Sequence, residues 1–313
     1  MEHLIAISKY SEEHIAMSAE NEWEAAGFDG PIFYKDKDGS EQNIYETLGP
    51  HPRIVKYLGS EPLNGAVMLT TLRNGSLFRH MRNRPGHVVP LATRLTWAVE
   101  IAQGLAHLHA RDVIWADPHL DNVLLTDDYH AVLCDFGLSV HKAPYFYKFR
   151  RGPPPTYLCP IGYCVDTPRR TDIFGFGVMF FVLLTNRFPF HKDWFPSPVE
   201  EIAIMKRHND IVDRWTGDFD KLPPALDHYF GNVLSNCFRI RYNAADTLAI
   251  ELEAAFTSWW KENEQNTLQD DNDLPGVNIP YPRQPPPTVI EKVQNHYIMP
   301  ELETATFQDD YDD

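Results

Sequence analysis

The chain has 313 residues, of which 43% are hydrophobic and 23% are charged, and its net charge is −16. This length is sufficient to bury a large core in one big domain or in two lobes. The strongly negative balance argues against a nucleic acid partner, because a phosphate backbone attracts basic surfaces.

Neither a membrane partner nor a secretory route is indicated. The longest apolar run, Ile173 to Leu184, is shorter than the about 20 residues that a membrane span requires, and we interpret it as a buried helix. The N-terminus lacks the basic start and apolar run of a signal peptide. The four cysteines show no paired spacing and no accompanying histidine ligands, which predicts neither a disulfide framework nor a zinc site. We therefore expect a reducing, intracellular location, cytoplasmic or nuclear.

The predicted elements change character along the chain. The segment from Glu41 to Gly49 has helical spacing and stops where glycine and prolines follow. Two short strands, RIVKYLG and GAVMLTTL, come next, and a long helix covers Ala92 to Ala110. The short apolar runs VIWA, VLL and AVLCDF indicate small strands that frame a loop, and the pattern is helical from Asp172 onward. A strand-rich part followed by a helical part predicts an α+β fold of two lobes.

The last segment, residues 262–313, differs in composition from the rest. It carries twelve acidic residues against two basic ones, so it contributes −10 of the net charge of −16. Because it holds few large aliphatic residues, it cannot offset its ordering entropy by burial, and we predict a mostly disordered tail. Its YPRQPPP motif could dock on an aromatic groove as a polyproline helix, but a solvated linker is the favoured interpretation.

Two carboxylates and an amide recur at fixed intervals in the middle of the chain. Asp117 stands five residues before Asn122, and Asp135 follows eighteen residues after Asp117, at the start of an Asp-Phe-Gly triplet. Transfer of a γ-phosphoryl group needs a carboxylate near the acceptor hydroxyl and oxygen ligands for magnesium. The spacing supplies all three groups.

These motifs resemble those of the eukaryotic protein kinase family. The catalytic-loop pattern of that family appears as WADPHLDN, and its metal-binding triplet as DFG. Further segments are similar to the family as well: HPRIVKYLG, RNGSL, GLAHLH and the helix that begins at Asp172. The resemblance covers Glu41 to Trp260. It implies a bilobal fold, with a degenerate, strand-rich N-lobe over 1–72, a helical C-lobe over 73–261 and the acidic tail beyond.

The resemblance also implies roles for single residues. Asp117 would orient the acceptor hydroxyl, and Asn122 and Asp135 would hold Mg²⁺. His119 takes the place of the family's lysine two residues after the catalytic aspartate. An imidazole there would neutralise the γ-phosphate of ATP less well than an ammonium group.

The ATP site is less well marked in the sequence. Glu41 falls where the family has the glutamate of its C-helix, while the hinge would span Thr70 to Leu72, after a gatekeeper at Leu69. Leu124 would contact the nucleotide too. No glycine-rich loop occurs in the first 60 residues, and no lysine lies at the usual distance before Glu41. Of the two candidates for that lysine, Lys9 is favoured over Lys35.

Other departures concern regulation and packing. Trp115 replaces the histidine of the catalytic loop, where it can fill the same core position. Ala116 replaces the arginine that captures an activation-loop phosphate in regulated kinases. Ile161 and Ala245 stand where the family has a glutamate and an arginine that pair, so that an apolar contact would replace an ion pair.

Three functions remain open on the sequence alone. The first is an ATP- and magnesium-dependent protein kinase that phosphorylates Ser or Thr of a protein substrate. The second is an impaired pseudokinase that serves as a binding or scaffold module for a protein partner. The third is a small-molecule kinase of the aminoglycoside or choline type, in which His119 would be an ordinary feature. A peptide-docking segment that runs from Asp135 to a helix at Asp172 would favour a protein kinase. The oligomeric state stays open.

Overall fold

The computed structural model describes residues 32–35, 39–82, 89–143, 152–160, 168–192, 196–214, 217–269 and 281–289. Within these ranges the strands are β1 (Ile32–Lys35), β2 (Tyr57–Ser60), β3 (Val67–Thr70), β4 (Val113–Ile114), β5 (Val123–Leu125), β6 (Ala131–Leu133) and β7 (Val140–His141). The helices are α1 (Gly39–Leu48), α2 (Leu77–Arg82), α3 (Leu91–Ala110), α4 (Arg169–Thr185), α5 (Pro198–Asp213), α6 (Pro224–Phe238) and α7 (Ala245–Gln269). The predicted α+β fold with a helical second lobe is confirmed.

The described part of the first lobe combines a small sheet with one helix. Its three strands are antiparallel in the order β1-β3-β2, and Lys35 lies opposite Val67. Helix α1 ends at Leu48 because Gly49 takes a left-handed conformation, with φ of +63°, before Pro50. The sequence signal for this helix and its end is thus confirmed.

Two short antiparallel ladders, β5–β6 and β4–β7, hold the segment between them at the junction of the lobes. The turn after α1 is joined to this region, because Val55 N donates to Leu133 O at 2.9 Å and Leu133 N donates to Arg53 O at 2.9 Å. The first lobe is therefore tied by backbone hydrogen bonds to the strand that leads into Asp135.

Helices α3 and α4 form the centre of the second lobe. Both are buried over nearly their whole length. Two glycines allow α4 to approach its neighbours: a Cβ on Gly175 would lie 2.4 Å from Cγ of Pro118, and one on Gly177 would lie 2.8 Å from Cβ of Cys237. Among the described helices, none combines the length and the hydrophobicity needed to cross a bilayer.

Helix α7 extends eight residues into the segment predicted as a tail. It continues to Gln269, and its Phe256, Trp259 and Trp260 pack in the core. Residues 281–289 lie against the lobe, and Pro286 is buried. The rest of the tail lies outside the described residues.

Two of the four cysteines, Cys134 and Cys237, are buried free thiols. Cys164 lies outside the described residues.

Candidate active site

Three charged side chains from distant parts of the chain meet between the lobes. Nζ of Lys35, at the end of β1, lies 2.7 Å from Oε2 of Glu41 and 2.7 Å from Oδ1 of Asp135. Glu41, in the first turn of α1, also accepts the backbone N–H of Phe136 at 2.9 Å. Lys35 thereby links the sheet and helix of the first lobe to the Asp-Phe-Gly triplet.

The pKa values of the three groups reflect their burial and their mutual charges. Burial alone would lower the pKa of Lys35, but the carboxylates of Asp135 and Glu41 outweigh it and the pKa is raised. Burial raises the pKa of Glu41 although Lys35 opposes it. For Asp135, burial is outweighed by Lys35 and by the Gly137 N–H, so its pKa is lowered. Lys35 is therefore a protonated ammonium beside an ionised Asp135.

Helical spacing explains why α1 presents Glu41 to this cluster. The buried residues of α1 are Glu41, Ile44, Tyr45 and Leu48, which recur at the three- and four-residue spacing of one helix face. Tyr45 packs edge-on against Phe136, with ring centroids 5.0 Å apart, and stacks on Tyr57 at 5.3 Å. These contacts keep Phe136 in the core.

Trp115 fixes the same triplet from the second lobe. It is fully buried, and its indole N–H donates to the carbonyls of Cys134 at 3.2 Å and of Asp135 at 3.3 Å. The sequence predicts a structural role in the core for Trp115, and its burial agrees with that prediction. Asp135 itself has φ of +55°, a left-handed conformation that is strained for a residue with a side chain.

The catalytic-loop residues contact one another. Nδ2 of Asn122 donates to the Asp117 carbonyl at 3.1 Å and to Oδ2 of Asp117 at 3.0 Å. Nε2 of His119 lies 3.5 Å from that same carboxylate oxygen. Backbone N–H and thiol of Cys134 both meet the carbonyl of Asn122, which joins this loop to the residue before Asp135. The four predicted residues Asp117, His119, Asn122 and Asp135 are therefore brought together.

Asp172, fully buried in the first turn of α4, binds the backbone of the catalytic loop. Its carboxylate accepts the N–H groups of Trp115 at 2.8 Å and of Ala116 at 2.9 Å. Ala116 has φ of +68°, a strained conformation for a residue with a side chain. The two hydrogen bonds to the Asp172 carboxylate hold the backbone in this conformation. Nδ1 of His109 accepts the N–H of Ala245 at 3.1 Å, so Nε2 carries the proton that it donates to Asp172. The site thus rests on a neutral histidine inside the helical core.

The residues expected to bind a metal have oxygen atoms to offer. Both hydrogen bonds of the Asn122 amide use its nitrogen, which leaves its oxygen as a ligand. The two contacts of the Asp135 carboxylate fall on Oδ1, and its side chain is 47% exposed. An all-oxygen pair of this kind suits Mg²⁺, which is bound by one or two protein groups together with phosphate oxygens. Among the described residues, no cluster of three or more His, Cys, Asp or Glu could hold a metal without such help.

The expected nucleotide-binding residues lie around the junction of the lobes. Thr70, at the end of β3, donates its N–H to Lys56 O at 3.0 Å, and Thr70 and Leu72 are half-buried. Leu69 is buried, opposite Phe33. Leu124 is half-buried on β5, whose next residue donates to Gly75 O at 3.0 Å, so this strand lies beside the segment after the hinge. Backbone hydrogen bonds thus join β3 to the turn before β2, and β5 to the segment after Leu72.

The lysine that lies beside Glu41 in the structure is the candidate that the sequence placed second. Lys9 lies outside the described residues, whereas Lys35 forms the ion pairs with Glu41 and Asp135. Three residues between β1 and α1 suffice to bring Lys35 and Glu41 together, a separation shorter than the one expected. The short run IFYK, whose β-branched and aromatic residues are typical of a strand, was the available signal.

The sequence predicts an apolar contact between Ile161 and Ala245 in place of an ion pair, and only Ala245 is among the described residues. Ala245 is fully buried and its N–H is bound by His109. Ile161 lies outside the described residues.

Comparison with known proteins agrees with this geometry. Residues 33–249 match the family described as "Protein kinase domain". The chain is 29% identical over 189 residues to an EPD1-interacting receptor-like cytoplasmic serine/threonine-protein kinase of Nicotiana benthamiana, covering 56% of this chain and 38% of that protein. It is 30% identical over 195 residues to the probable serine/threonine-protein kinase PBL4 of Arabidopsis thaliana, covering 58% and 44%. It is 25% identical over 170 residues to the serine/threonine-protein kinase PLK4 of Drosophila willistoni, covering 53% and 22%. The chain therefore spans less than half the length of these relatives.

The family match extends from the strand that carries Lys35 to the first turns of α7, and so includes both lobes and every described site residue. The resemblance inferred from the catalytic-loop and Asp-Phe-Gly motifs is confirmed. The chain belongs to the protein kinase domain family.

Proposed function

We propose that this chain is an active protein kinase, which uses ATP and Mg²⁺ to phosphorylate Ser or Thr hydroxyls of a protein substrate. The observation that carries the proposal is the junction of two intact sets of side chains. Lys35, Glu41 and Asp135 form one set, and Asp117 with Asn122 forms the other. Bound Mg-ATP supplies the transferable phosphoryl group and the metal charge that offsets its oxygens.

Each described residue has a distinct task under this proposal. Lys35, held by Glu41, provides a fixed ammonium for the phosphates of ATP. Asn122 and Asp135 offer the oxygen ligands for the metal. Asp117 accepts the proton of the acceptor hydroxyl, and the hydrogen bond from Asn122 to Oδ2 fixes the orientation of its carboxylate. These groups stand pre-positioned, so that little rearrangement accompanies the transfer.

His119 is the main departure in the reacting region. Its Nε2 is 3.5 Å from Asp117, and its ring lies 6.0 Å from that of Tyr157, which packs edge-on against Phe188. The ring is therefore supported close to the acceptor carboxylate. We propose that His119 substitutes for the family's lysine as a weaker electrostatic partner of the γ-phosphate.

That weakness supports the second candidate, a pseudokinase that binds nucleotide without efficient transfer. The Lys35–Glu41–Asp135 cluster is compatible with both candidates, since it serves nucleotide binding. The third candidate, a small-molecule kinase, is disfavoured by the protein kinase family match and by the run of the chain into α4, where Asp172 anchors the catalytic loop. The names of the relatives favour Ser and Thr as acceptors.

A thermal shift experiment with ATP, with and without Mg²⁺, tests nucleotide binding at this site. We expect ATP with Mg²⁺ at 100 times its Kd to raise the free energy of unfolding by about 2.7 kcal/mol. Asn122→Ala and Asp135→Asn should each abolish the part of the shift that depends on the metal. Asp128→Asn, which alters an exposed carboxylate in the β5–β6 turn, is the matched control and should keep the full shift. Unchanged metal dependence in both site variants would refute the assignment.

A further inference from the structure

Residues 281–289, which we call the strap, lie against the second lobe and contact it through side chains and backbone carbonyls. Tyr281 is inserted among three aromatic side chains, with ring centroids 5.7 Å from His80, 5.9 Å from Trp97 and 5.1 Å from Tyr129. Its hydroxyl is 2.8 Å from Nε2 of His80. The indole N–H of Trp97 donates to Tyr129 O at 2.7 Å, which fixes this aromatic wall in place.

Beyond Tyr281, side chains of the lobe bind the carbonyls of the strap. The single hydroxyl proton of Thr96 is shared between Ala92 O at 3.0 Å and Gln284 O at 3.2 Å. Nε2 of Gln103 donates to Pro287 O at 3.0 Å. Thr96 and Gln103 are both fully buried polar residues of α3. On the other side of the strap, Thr288 donates to Oε2 of Glu253 at 2.7 Å. The lobe thus presents a built groove of polar and aromatic side chains, drawn from α2, α3, α7 and the β5–β6 turn.

The composition of the strap leaves its carbonyls as the main hydrogen-bonding groups. Four of its nine residues are prolines, which lack an N–H. The carbonyls of Gln284, Pro287 and Val289 all meet side chains of the lobe, and Pro286 is buried. Contacts to three carbonyls, together with the aromatic anchor at Tyr281, favour recognition of the strap over passive packing of a linker.

The end of the strap reaches the turn that follows α1. Nδ1 of His51 accepts the N–H of Arg53 at 3.2 Å, so the proton is on Nε2, which lies 3.4 Å from Val289 O. His51 also stacks on His107 at 3.8 Å, and His107 meets the carbonyl of Leu48, the last residue of α1.

A second route to the same turn passes through Gln103. Its Oε1 accepts Nε of Arg53 at 2.9 Å, while its Nε2 binds both Pro287 O and Glu253. The guanidinium of Arg53 also pairs with the buried Glu100 at 3.0 Å. Arg53 is thus held by a residue that itself holds the strap.

We propose that the groove is a recognition site for a proline-rich segment, occupied in cis by residues 281–289, and that this docking braces the turn after α1. The brace joins α3 and α7 to the helix that carries Glu41. Its occupant is the chain's own segment, which is tethered by the short stretch after Gln269 and therefore present at high effective concentration. The proposal concerns peptide binding and local stability, so it does not depend on phosphoryl transfer.

Amide hydrogen exchange on the full chain, followed by mass spectrometry, tests the brace. Tyr281→Ala removes the aromatic anchor, and we expect exchange across residues 49–58 to rise at least tenfold. Tyr297→Ala, the same substitution outside the strap, is the control and should leave this region unchanged. Thr288→Val, which removes one hydrogen bond from an exposed position, should raise exchange in the same region about threefold. This milder variant decides the matter if Tyr281→Ala fails to fold, and unchanged exchange in the folded variants would overturn the proposal.

A peptide added in trans tests recognition. A labelled YPRQPPPTV peptide should bind the Tyr281→Ala chain at least tenfold more tightly than the parent, whose groove is occupied, and should reverse the faster exchange. The peptide APRQPPPTV is the matched control and should do neither. Equal binding to the parent and the variant, or equal rescue by both peptides, would contradict the proposal.

Discussion

Lys35 and Asp135 are separated by 100 residues in the chain and form an ion pair of 2.7 Å between the two lobes. Because Glu41 pairs with the same ammonium, the sheet, α1 and the Asp-Phe-Gly triplet share one charged junction. A nucleotide that contacts Lys35 would therefore affect ion pairs in both lobes, the one with Glu41 and the one with Asp135.

The first prediction separates the two lysine candidates. Lys35→Met should abolish the ATP-induced thermal shift, because the phosphates lose their ammonium partner. The single variant leaves Glu41 buried without its partner, which should cost up to about 3 kcal/mol of stability. The double variant Lys35→Met, Glu41→Gln removes that charge and should recover part of the stability without recovering ATP binding.

Lys9→Met is the matched control for this prediction, since it makes the same change at the other candidate. Its ATP-induced shift should equal that of the parent. A shift lost in Lys9→Met and kept in Lys35→Met would reverse the assignment.

The second prediction concerns the contact between α4 and the catalytic loop. A Cβ on Gly175 would lie 2.4 Å from Cγ and 3.1 Å from the carbonyl oxygen of Pro118, the neighbour of Asp117. Gly175→Ala should therefore displace the loop, lower the stability by about 1–3 kcal/mol and lower turnover at least tenfold. Chemical denaturation and a phosphotransfer assay measure the two effects. Gly39→Ala, where a Cβ would meet nothing within 4 Å, should leave both quantities close to the parent.

The third prediction links stability to pH through His208. This histidine of α5 is fully buried among Phe174, Phe190, Phe219 and Phe238, and neither ring nitrogen has a partner among the described residues. Burial lowers its pKa to about 3, although Asp220 acts in the opposite direction. The unfolded chain thus binds a proton near pH 6.5 that the folded chain does not, so stability falls as the pH drops below that value. Between pH 7 and pH 5 the expected loss from His208 is about 2 kcal/mol.

His208→Leu should remove this loss and also raise the stability at pH 7 by about 1 kcal/mol or more, because an unsatisfied polar group leaves the core. Denaturation curves at pH 5 and pH 7 provide the measurement. Some acid sensitivity should remain, since burial lowers the pKa of His109 as well. An unchanged difference between the two pH values would show that His208 is not the buried neutral group described.

The fourth prediction is that phosphorylation of the activation segment does not switch the protein on. Ala116 stands where regulated kinases have a phosphate-binding arginine, and its backbone is bound to Asp172. Within the described part of that segment, Ser139 donates to Trp115 O at 2.9 Å and Thr156 is buried, so neither hydroxyl is displayed for modification. Phosphatase treatment of protein purified from a eukaryotic host should leave turnover within a few-fold of that of the untreated protein. The expectation is contradicted if the treatment lowers parental turnover tenfold or more, and if this loss no longer occurs in Tyr145→Phe or Tyr147→Phe.

Local signals allowed the sequence to predict most of the second lobe. Asp117, Asn122 and Asp135 lie in short motifs whose spacing reflects the chemistry, and α3 and α4 have long apolar patterns. The lysine that pairs with Glu41 could not be chosen in this way. Lys35 becomes part of the site through the register of β1 against β3 and the short passage into α1, and neither is encoded in a motif around the lysine.

Docking of the strap was an alternative on the sequence but not the favoured one, for a related reason. Its nine residues bury little apolar surface of their own, so composition favours a solvated linker. What holds them is a groove assembled from His80, Thr96, Gln103 and Glu253, which stand far apart in the sequence. A pattern read along one segment cannot reveal a partner that exists only after the lobe has folded.

The most direct test of the account is the transfer of labelled γ-phosphate from ATP to a generic Ser/Thr protein substrate by the purified chain. We predict Mg²⁺-dependent transfer by the parent and a loss of at least about 100-fold in Asp117→Asn, with an unchanged ATP-induced thermal shift. Asp127→Asn, an exposed carboxylate in the next turn, should keep parental turnover. Turnover retained in Asp117→Asn, or ATP binding by the parent with no transfer at all, would contradict the claim that this site is an active kinase.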